Sequence, residues 1–274
     1  MLTTTKDVPM AHETQTKKIA LITGASSGIG KEIARLHASR GGDLVLVARS
    51  ADKLAALAAE LQSAHGIRVT VVAKDLVQPN AAQEVYDEAK AAGIAVDYLI
   101  NNAGFGGQGA FHERRWVDDL AMIQLNVVAL SALTRLFLPD FVARGSGRVL
   151  NVSSTACLMG GPLQAVYYAT KAYVTSFSNA IAEELRGTGV TVTALLPGAT
   201  ETEFARAAEM DKTPLFATKL ASAAAVAGAG YEGMLAGQLD VIAGLTFGQK
   251  LMLSAVPFTP KRVLLRQVHE MQKR

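Results

Sequence analysis

Short apolar runs alternate along the chain with longer segments in which apolar residues recur every three or four positions. The runs are rich in Val, Ile and Leu, which is typical of strands buried on both faces of a parallel sheet. They predict strands at residues 18–23, 43–48, 68–73, 96–100, 147–153, 190–196 and 239–243. The longer segments predict helices at residues 28–39, 52–64, 80–92, 119–142, 165–186 and 219–236. This alternation predicts an α/β fold built on a doubly wound parallel sheet of seven strands.

Length and composition agree with a single domain of this kind. The chain has 274 residues, of which 50% are hydrophobic and 19% are charged. We expect residues 17–246 to form the domain and residues 247–274 to form a C-terminal extension, packed on the domain or on a neighbouring subunit. Residues 1–16 are polar and lack the apolar core of a secretory signal, so we expect a flexible leader and a cytoplasmic location.

Charge and cysteine content exclude several other classes of protein. The net charge is only +3, and no compact cluster of Lys and Arg is interleaved with aromatic residues, so no nucleic-acid partner is expected. The single cysteine, Cys157, excludes an internal disulfide and a cysteine-based metal cluster. The five histidines are scattered without ligand spacing, so no metal site is expected.

The first predicted strand runs directly into a glycine-rich turn, and a helical pattern follows. Glycines allow a tight turn and let backbone N–H groups approach a pyrophosphate, while the helix start offers unpaired donors and a positive dipole end. This context is the one that a dinucleotide-binding turn of a Rossmann-type fold requires. The turn residues predicted to contact a dinucleotide are Gly24, Ser26, Ser27, Gly28, Ile29 and Gly30.

Tyr167 and Lys171 lie four residues apart in a segment with a helical pattern, so their side chains share one helix face. A cation beside a phenol stabilises the phenolate and moves the pKa of the tyrosine toward the neutral range, where it can exchange protons. By itself the pair also fits a solvated lysine beside a half-buried tyrosine.

Further motifs in the right order make the chain resemble the short-chain dehydrogenase/reductase family over residues 18–244. Asn101-Asn102-Ala103-Gly104 follows the fourth predicted strand, and Asn126 matches the family's helical active-site Asn. Ser154 precedes Tyr167 by 13 positions, the usual interval of the family, and residues 197–202 match the loop that closes over the nicotinamide.

The resemblance implies hydride transfer between a nicotinamide and a carbonyl or alcohol carbon. Ser154 would polarise the carbonyl oxygen and Tyr167 would exchange a proton with it, while Lys171 would lower the pKa of Tyr167 and hold the nicotinamide ribose. Asn126 would position a water that links Lys171 to solvent. By themselves Ser154 and Asn126 also fit a strand-end cap and a buried amide, and Tyr168 is interpreted as a packing residue.

The second predicted strand ends in Ala48-Arg49-Ser50, without the acidic residue that would hold the ribose 2′-hydroxyl of NAD. Because Arg49 can pair with a 2′-phosphate instead, NADP(H) is the predicted cofactor. A surface charge at a strand end is the alternative interpretation of Arg49. Besides Tyr167 and Lys171, the other positions that match cofactor contacts of the family are Asp75, Leu76, Asn102, Ala103, Gly104, Pro197, Gly198, Thr200 and Thr202.

The loops expected to wall the substrate pocket are apolar, which favours an apolar carbonyl or alcohol substrate such as a 3-oxoacyl, steroid-like, aromatic or aliphatic compound. These apolar residues are Phe105, Leu158, Met159, Leu163, Phe204 and Phe216. The extension after residue 246 resembles the DltE-like subgroup of bacterial short-chain dehydrogenases. Its tail helix has an apolar stripe without Trp, so contact with a membrane surface is a less favoured alternative to packing on protein.

Two functions from different classes stay open at this point, and a lyase or epimerase of the wider family is a third possibility, although the glycine turns and active sites of those members usually differ from this pattern. The first is an active NADP(H)-dependent reductase, and the second is a catalytically silent, NADP-binding regulator or scaffold of the same fold. The complete set of Asn126, Ser154, Tyr167 and Lys171 favours the enzyme, because a binding protein has no need of all four. The resemblance also implies a homodimer or homotetramer.

Overall fold

The computed structural model describes residues 17–204 and 220–273. Seven parallel strands form one sheet in the order β3-β2-β1-β4-β5-β6-β7. They are β1 (Ile19–Thr23), β2 (Asp43–Ala48), β3 (Val69–Ala73), β4 (Tyr98–Asn101), β5 (Gly147–Val152), β6 (Val190–Pro197) and β7 (Asp240–Ala243). The predicted doubly wound sheet is confirmed. The reversal of strand order between β1 and β4 opens a crevice at the carboxyl ends of these strands.

Helices cover both faces of the sheet. They are α1 (Gly28–Ser39), α2 (Ala51–His65), α3 (Ala81–Ala91), α4 (Trp116–Ile123), α5 (Leu130–Arg144), α6 (Ala165–Glu184) and α7 (Ala223–Leu235). After β7 the chain continues as α8 (Phe247–Ser254) and α9 (Lys261–Gln272). One buried cluster lies on each face, with Ile33, Leu46 and Tyr231 on one side and Val85, Leu133 and Phe141 on the other.

The helix predicted at residues 119–142 is longer and is interrupted. A π-helical turn, Gln124–Ala129, separates α4 from α5, so the helical run extends over Trp116–Arg144. By length and composition alone this run could cross a membrane. One side of it, however, packs in the buried cores through Met122, Leu133 and Phe137.

A third apolar cluster lies beyond the carboxyl edge of the sheet. It joins α4 and α6 to the C-terminal helix α9, whose Val268 is fully buried among Met122, Tyr167 and Tyr168. The C-terminal extension therefore packs on its own domain through α9. The predicted leader at residues 1–16 lies outside the described residues.

Candidate active site

The glycine-rich turn between β1 and α1 is held by a side chain from the loop after β4. Gly24 and Gly28 have φ values of +65° and +55°, which favour glycine. Asn102 Nδ2 donates hydrogen bonds to the carbonyl oxygens of Thr23 (2.9 Å) and Gly24 (3.1 Å). A Cβ atom at Gly30 would lie 2.4 Å from the same nitrogen. Asn102 can therefore approach this closely only because Gly30 has no side chain.

The amino terminus of α1 has no capping side chain. Ser27, at the N-cap position, makes no capping hydrogen bond, and the first turn contains no acidic residue. Its unpaired N–H groups and dipole favour an anion. The loop after β6 lies directly opposite, because a Cβ atom at Gly28 would lie 3.1 Å from Thr202 Cγ2. The glycine turn and this loop therefore lie close together at the carboxyl edge of the sheet.

The other predicted cofactor positions lie at the carboxyl edge of the sheet. Ser26 and Ile29 lie in or beside the glycine turn, Ala103 and Gly104 follow β4, and Pro197, Gly198 and Thr200 lie at the end of β6 or just after it. Arg49 is exposed directly after β2 and makes no hydrogen bond or ion pair within residues 17–204 and 220–273. The carboxylate of Asp75 accepts a hydrogen bond from Val77 N (3.2 Å), as in an ordinary turn, and Leu76 is buried.

Tyr167 and Lys171 lie one turn apart on α6, and both are buried. Lys171 Nζ donates a hydrogen bond to the carbonyl oxygen of Val152 (2.8 Å) and lies 5.8 Å from the centre of the Tyr167 ring. A Cβ atom at Gly104 would lie 3.5 Å from this nitrogen. Burial disfavours the charged amine and lowers the pKa of Lys171 to about 8.

Ser154 lies where β5 ends and serves two local contacts. Its Oγ accepts a hydrogen bond from Ala156 N (3.1 Å), which caps the 3₁₀ turn Thr155–Leu158, and lies 3.5 Å from the carbonyl oxygen of Pro197. The hydroxyl also lies beside the phenol of Tyr167, where hydrogen bonding opposes the effect of burial on the tyrosine pKa. The capping role and the position beside Tyr167 are therefore compatible.

The net direction of the Tyr167 pKa is opposite to the one that a neighbouring Lys171 alone would cause. The pKa of Tyr167 is raised, not lowered, and burial is the main cause. The phenolate would be poorly solvated among Met122, Phe204 and Val268, whereas the ammonium of Lys171 is directed to a backbone carbonyl. The neutral phenol is therefore the resting form of this side chain.

Asn126 lies in the π-helical turn and is fully buried. Its Oδ1 accepts from Phe105 N (3.1 Å), and its Nδ2 donates to the carbonyl oxygen of Phe105 (2.9 Å) and to Thr170 Oγ1 (3.1 Å). Both amide hydrogens are used, so the side chain fixes the loop after β4 to α6. Only the remaining lone pair of Asn126 Oδ1, or the backbone of Asn126, is therefore available for the predicted contact with a water.

Residues 18–213 match the short chain dehydrogenase family, well over half of the chain. The chain belongs to the short-chain dehydrogenase family. The human very-long-chain 3-oxoacyl-CoA reductase is 34% identical over 193 residues, which cover 68% of this chain and 61% of that relative. The chain thus spans about three fifths of the length of the curated relatives it matches.

Two solved structures are similar to this chain over nearly their whole length. A short-chain dehydrogenase from Sphingobium yanoikuyae in complex with NADPH is 31% identical, with a TM-score of 0.79 over 94% of this chain and 98% of that chain. A 7β-hydroxysteroid dehydrogenase is 28% identical, with a TM-score of 0.82 over 92% of this chain and 96% of that chain.

The wall around Tyr167 in this short-chain dehydrogenase differs in part from the predicted set. Phe105, Met159 and Phe204 pack on the cluster that contains Tyr167, whereas Leu158 is 40% exposed and Leu163 is outside the cluster. Phe216 lies outside the described residues. The rest of the wall comes from α4, α6 and α9, in the form of Met122, Val166, Leu264, Val268 and Met271.

A buried glutamine cluster fixes α9 to the domain, and the sequence interpretation missed it. Gln272 Nε2 donates to the Tyr168 hydroxyl (2.9 Å), its Oε1 accepts from Gln164 Nε2, and its carbonyl oxygen accepts from Gln108 Nε2. Tyr168 is therefore more than a packing residue. The apolar stripe of α9 was visible in the sequence. Gln272 lies one turn after Val268 and is also buried, but no local pattern identified the hydrogen-bond partners of Gln272.

Proposed function

We propose that this short-chain dehydrogenase is an NADP(H)-dependent oxidoreductase that acts on bulky apolar ketones or the corresponding secondary alcohols. The juxtaposition of Ser154, Tyr167 and Lys171, with Lys171 beside Gly104 in the loop after β4, carries the proposal. A protein that only binds a dinucleotide would not need a buried phenol between a hydroxyl and an amine.

The residues at the carboxyl edge of the sheet fit a dinucleotide with a 2′-phosphate. The glycine turn and the uncapped start of α1 would receive the pyrophosphate, and Arg49 would pair with the 2′-phosphate. Lys171 and the loop after β6 would hold the nicotinamide half. When bound, the cofactor supplies or accepts the hydride. The relative from Sphingobium yanoikuyae, described in complex with NADPH, supports this choice.

The side chains of the site have separate tasks during reduction. Tyr167, kept neutral by burial, donates its phenolic proton to the substrate oxygen, and Ser154 donates a hydrogen bond to the same oxygen. Lys171, with a pKa of about 8, carries a positive charge at neutral pH and stabilises the phenolate as it forms. Asn126 keeps Phe105 and Thr170 in place around this group.

An apolar substrate follows from the surroundings of Tyr167. Phe105, Phe204 and Val268 offer no charged partner to a ligand. The relatives named for very-long-chain 3-oxoacyl-CoA and for a 7β-hydroxysteroid support the same class. Membership of the DltE-like subgroup, a cytoplasmic location and a homodimer or homotetramer stay predictions.

A screen with NADPH tests the proposal. Purified protein is mixed with cyclic, steroid-like and long-chain 3-oxoacyl ketones, and the loss of NADPH absorbance is followed. We expect turnover with bulky apolar ketones and none with charged sugars. If NADPH binds in a fluorescence titration but no ketone in the panel is reduced and no matching alcohol is oxidised, the scaffold interpretation replaces the enzyme.

A further inference from the structure

The segment from α8 to the start of α9 exposes large apolar side chains. Phe247 is 83% exposed and Phe258 is 88% exposed, while Leu251 and Met252 are 64% and 60% exposed. No residue of α8 is buried. Single exposed apolar residues are common, but a contiguous group of this kind marks a binding surface.

Local interactions give this segment a defined shape. Thr246 and Gln249 form a capping box at the start of α8, with Gln249 N donating to Thr246 Oγ1 (3.3 Å) and Thr246 N donating to Gln249 Oε1 (2.9 Å). A 3₁₀ turn, Val256–Phe258, then leads to α9. The apolar side chains are therefore presented by an ordered helix and turn.

The Lys and Arg residues of this segment have no acidic residue among them in the sequence. No Asp or Glu occurs between Asp240 and Glu270 in the sequence, whereas Lys250, Lys261, Arg262 and Arg266 occur there. All four cations are exposed. Apolar side chains surrounded by Lys and Arg are typical of segments that lie in the headgroup region of an anionic bilayer.

We propose that residues 247–266 bind the surface of a membrane that contains anionic lipids. Phe247, Leu251, Met252 and Phe258 enter the acyl boundary, and the four cations contact lipid phosphates. Packing of this segment on the same segment of a second copy is disfavoured, because it would place like charges opposite one another.

A second exposed apolar patch, at the start of α4, differs from the α8 segment in the charges around it. Trp116 and Val117, at the start of α4, are 60% and 56% exposed, which is comparable with α8. The charged neighbours of this patch are paired with one another, Arg114 with Asp119 (2.8 Å) and Arg115 with Asp118 (3.7 Å). Because these positive charges are balanced by carboxylates, anionic lipids should attract the second patch less, and it serves as a matched control.

The proposed surface adjoins the active site through α9. Leu265 lines a cavity of about 400 Å³ together with Tyr168 and Met159, and Val268 of the same helix packs on Tyr167. The vesicle test below measures binding alone, so its outcome does not depend on the proposed reductase activity.

Flotation with lipid vesicles tests the proposal. The full chain is incubated with vesicles of phosphatidylcholine alone or mixed equally with phosphatidylglycerol, at low and high salt. We expect the protein to float only with the anionic vesicles and to be released by salt, because screening weakens the attraction. Phe247→Ser/Phe258→Ser and Lys250→Glu/Arg262→Glu should each weaken binding about tenfold or more.

The control variant Trp116→Ser/Val117→Ser should bind the anionic vesicles as the wild type does. Circular dichroism and melting of each variant establish that it is folded. Absence of flotation with folded wild-type protein overturns the proposal. So does a wild-type dimer in light scattering that Phe247→Ser/Phe258→Ser converts to a monomer, since the surface would then be a contact between copies.

Discussion

Gln272, in the last turn of α9, donates a hydrogen bond of 2.9 Å to the hydroxyl of Tyr168, and both side chains are buried. Tyr168 is the chain neighbour of Tyr167, and the two rings lie 6.1 Å apart at 78°. The C-terminal helix is thus anchored beside the proposed catalytic phenol. It supplies Val268 to the wall of the site and contributes to the burial that keeps Tyr167 neutral.

Gln272→Ala should loosen this helix. The Tyr168 hydroxyl and the Gln164 amide would lose a buried partner, at a cost of about 1–3 kcal/mol. We expect a lower melting temperature and a KM for bulky ketones raised about tenfold, with the Kd for NADPH unchanged. Gln267→Ala, at an exposed position of the same helix, is the control. Equal KM values in both variants would show that α9 does not shape the pocket.

Arg49→Ala should reduce the preference for NADPH. A charge-assisted hydrogen bond contributes about 1.5–3 kcal/mol, which corresponds to roughly tenfold or more in affinity. Fluorescence titration of wild type and variant with both cofactors measures the change. The affinity for NADH is the internal control, because NADH has no 2′-phosphate and should bind both proteins equally. Equal affinities of the wild type for NADPH and NADH would exclude this role of Arg49.

The pKa of Lys171 predicts the basic side of the pH profile. Since burial lowers this pKa to about 8, the amine is charged below that pH and loses its charge as the pH rises through it. The kcat/KM for ketone reduction should therefore decline above pH 8, because this ratio reports ionisations of the free enzyme. The Lys171→Arg variant stays charged, so its kcat/KM should not decline in this range. Its kcat/KM should nevertheless be lower than that of the wild type below pH 8. A wild-type profile that rises through this range would contradict the assignment.

His37 predicts how stability depends on pH. Its Nε2 lies 3.0 Å and 3.2 Å from the carbonyl oxygens of Lys18 and Asp43, so this nitrogen donates, and Nδ1 accepts from the Tyr231 hydroxyl (2.7 Å). Burial lowers the pKa of His37 below its ordinary 6.5. Below pH 6.5 the unfolded chain therefore takes up a proton that the folded chain resists, and stability falls with the pH.

Chemical denaturation of the wild type at pH 7.5 and at pH 5.5, values on either side of roughly 6.5, measures this effect. His37→Gln should be less stable at neutral pH but should lose less stability on acidification. The control is His65→Gln, because His65 is exposed at the end of α2. If the acid-induced loss is the same in His37→Gln as in the wild type, His37 is not its source.

Local sequence patterns were sufficient to predict the strands of the sheet and the glycine-rich turn of the candidate site. The strands are continuous apolar runs, and the glycine turn directly joins β1 to α1, so both are encoded over a few neighbouring residues. The pairing of Tyr167 with Lys171 follows from one helical turn. The extra residues of the π-helical turn, Gln124–Ala129, have no such local signal.

Properties that depend on distant contacts could not be predicted. Gln272 and Tyr168 are 104 positions apart, and no spacing rule joins them. The direction of the Tyr167 pKa depends on how deeply Phe204 and Val268 bury the ring, whereas the sequence suggested only the opposing effect of Lys171. Electrostatics inferred from spacing alone therefore missed the desolvation that controls this group.

The central claim is that Tyr167 is the proton donor of an NADP(H)-dependent reductase. The most direct measurement compares kcat for a bulky ketone in wild type, Tyr167→Phe and Tyr168→Phe, with the Kd for NADPH measured for each. Loss of a general acid should lower kcat by about 10² or more in Tyr167→Phe, without weakening NADPH binding. Tyr168→Phe should keep kcat and change only KM, through the lost bond to Gln272. Unchanged turnover in Tyr167→Phe, or the reverse behaviour of the two variants, would contradict the account.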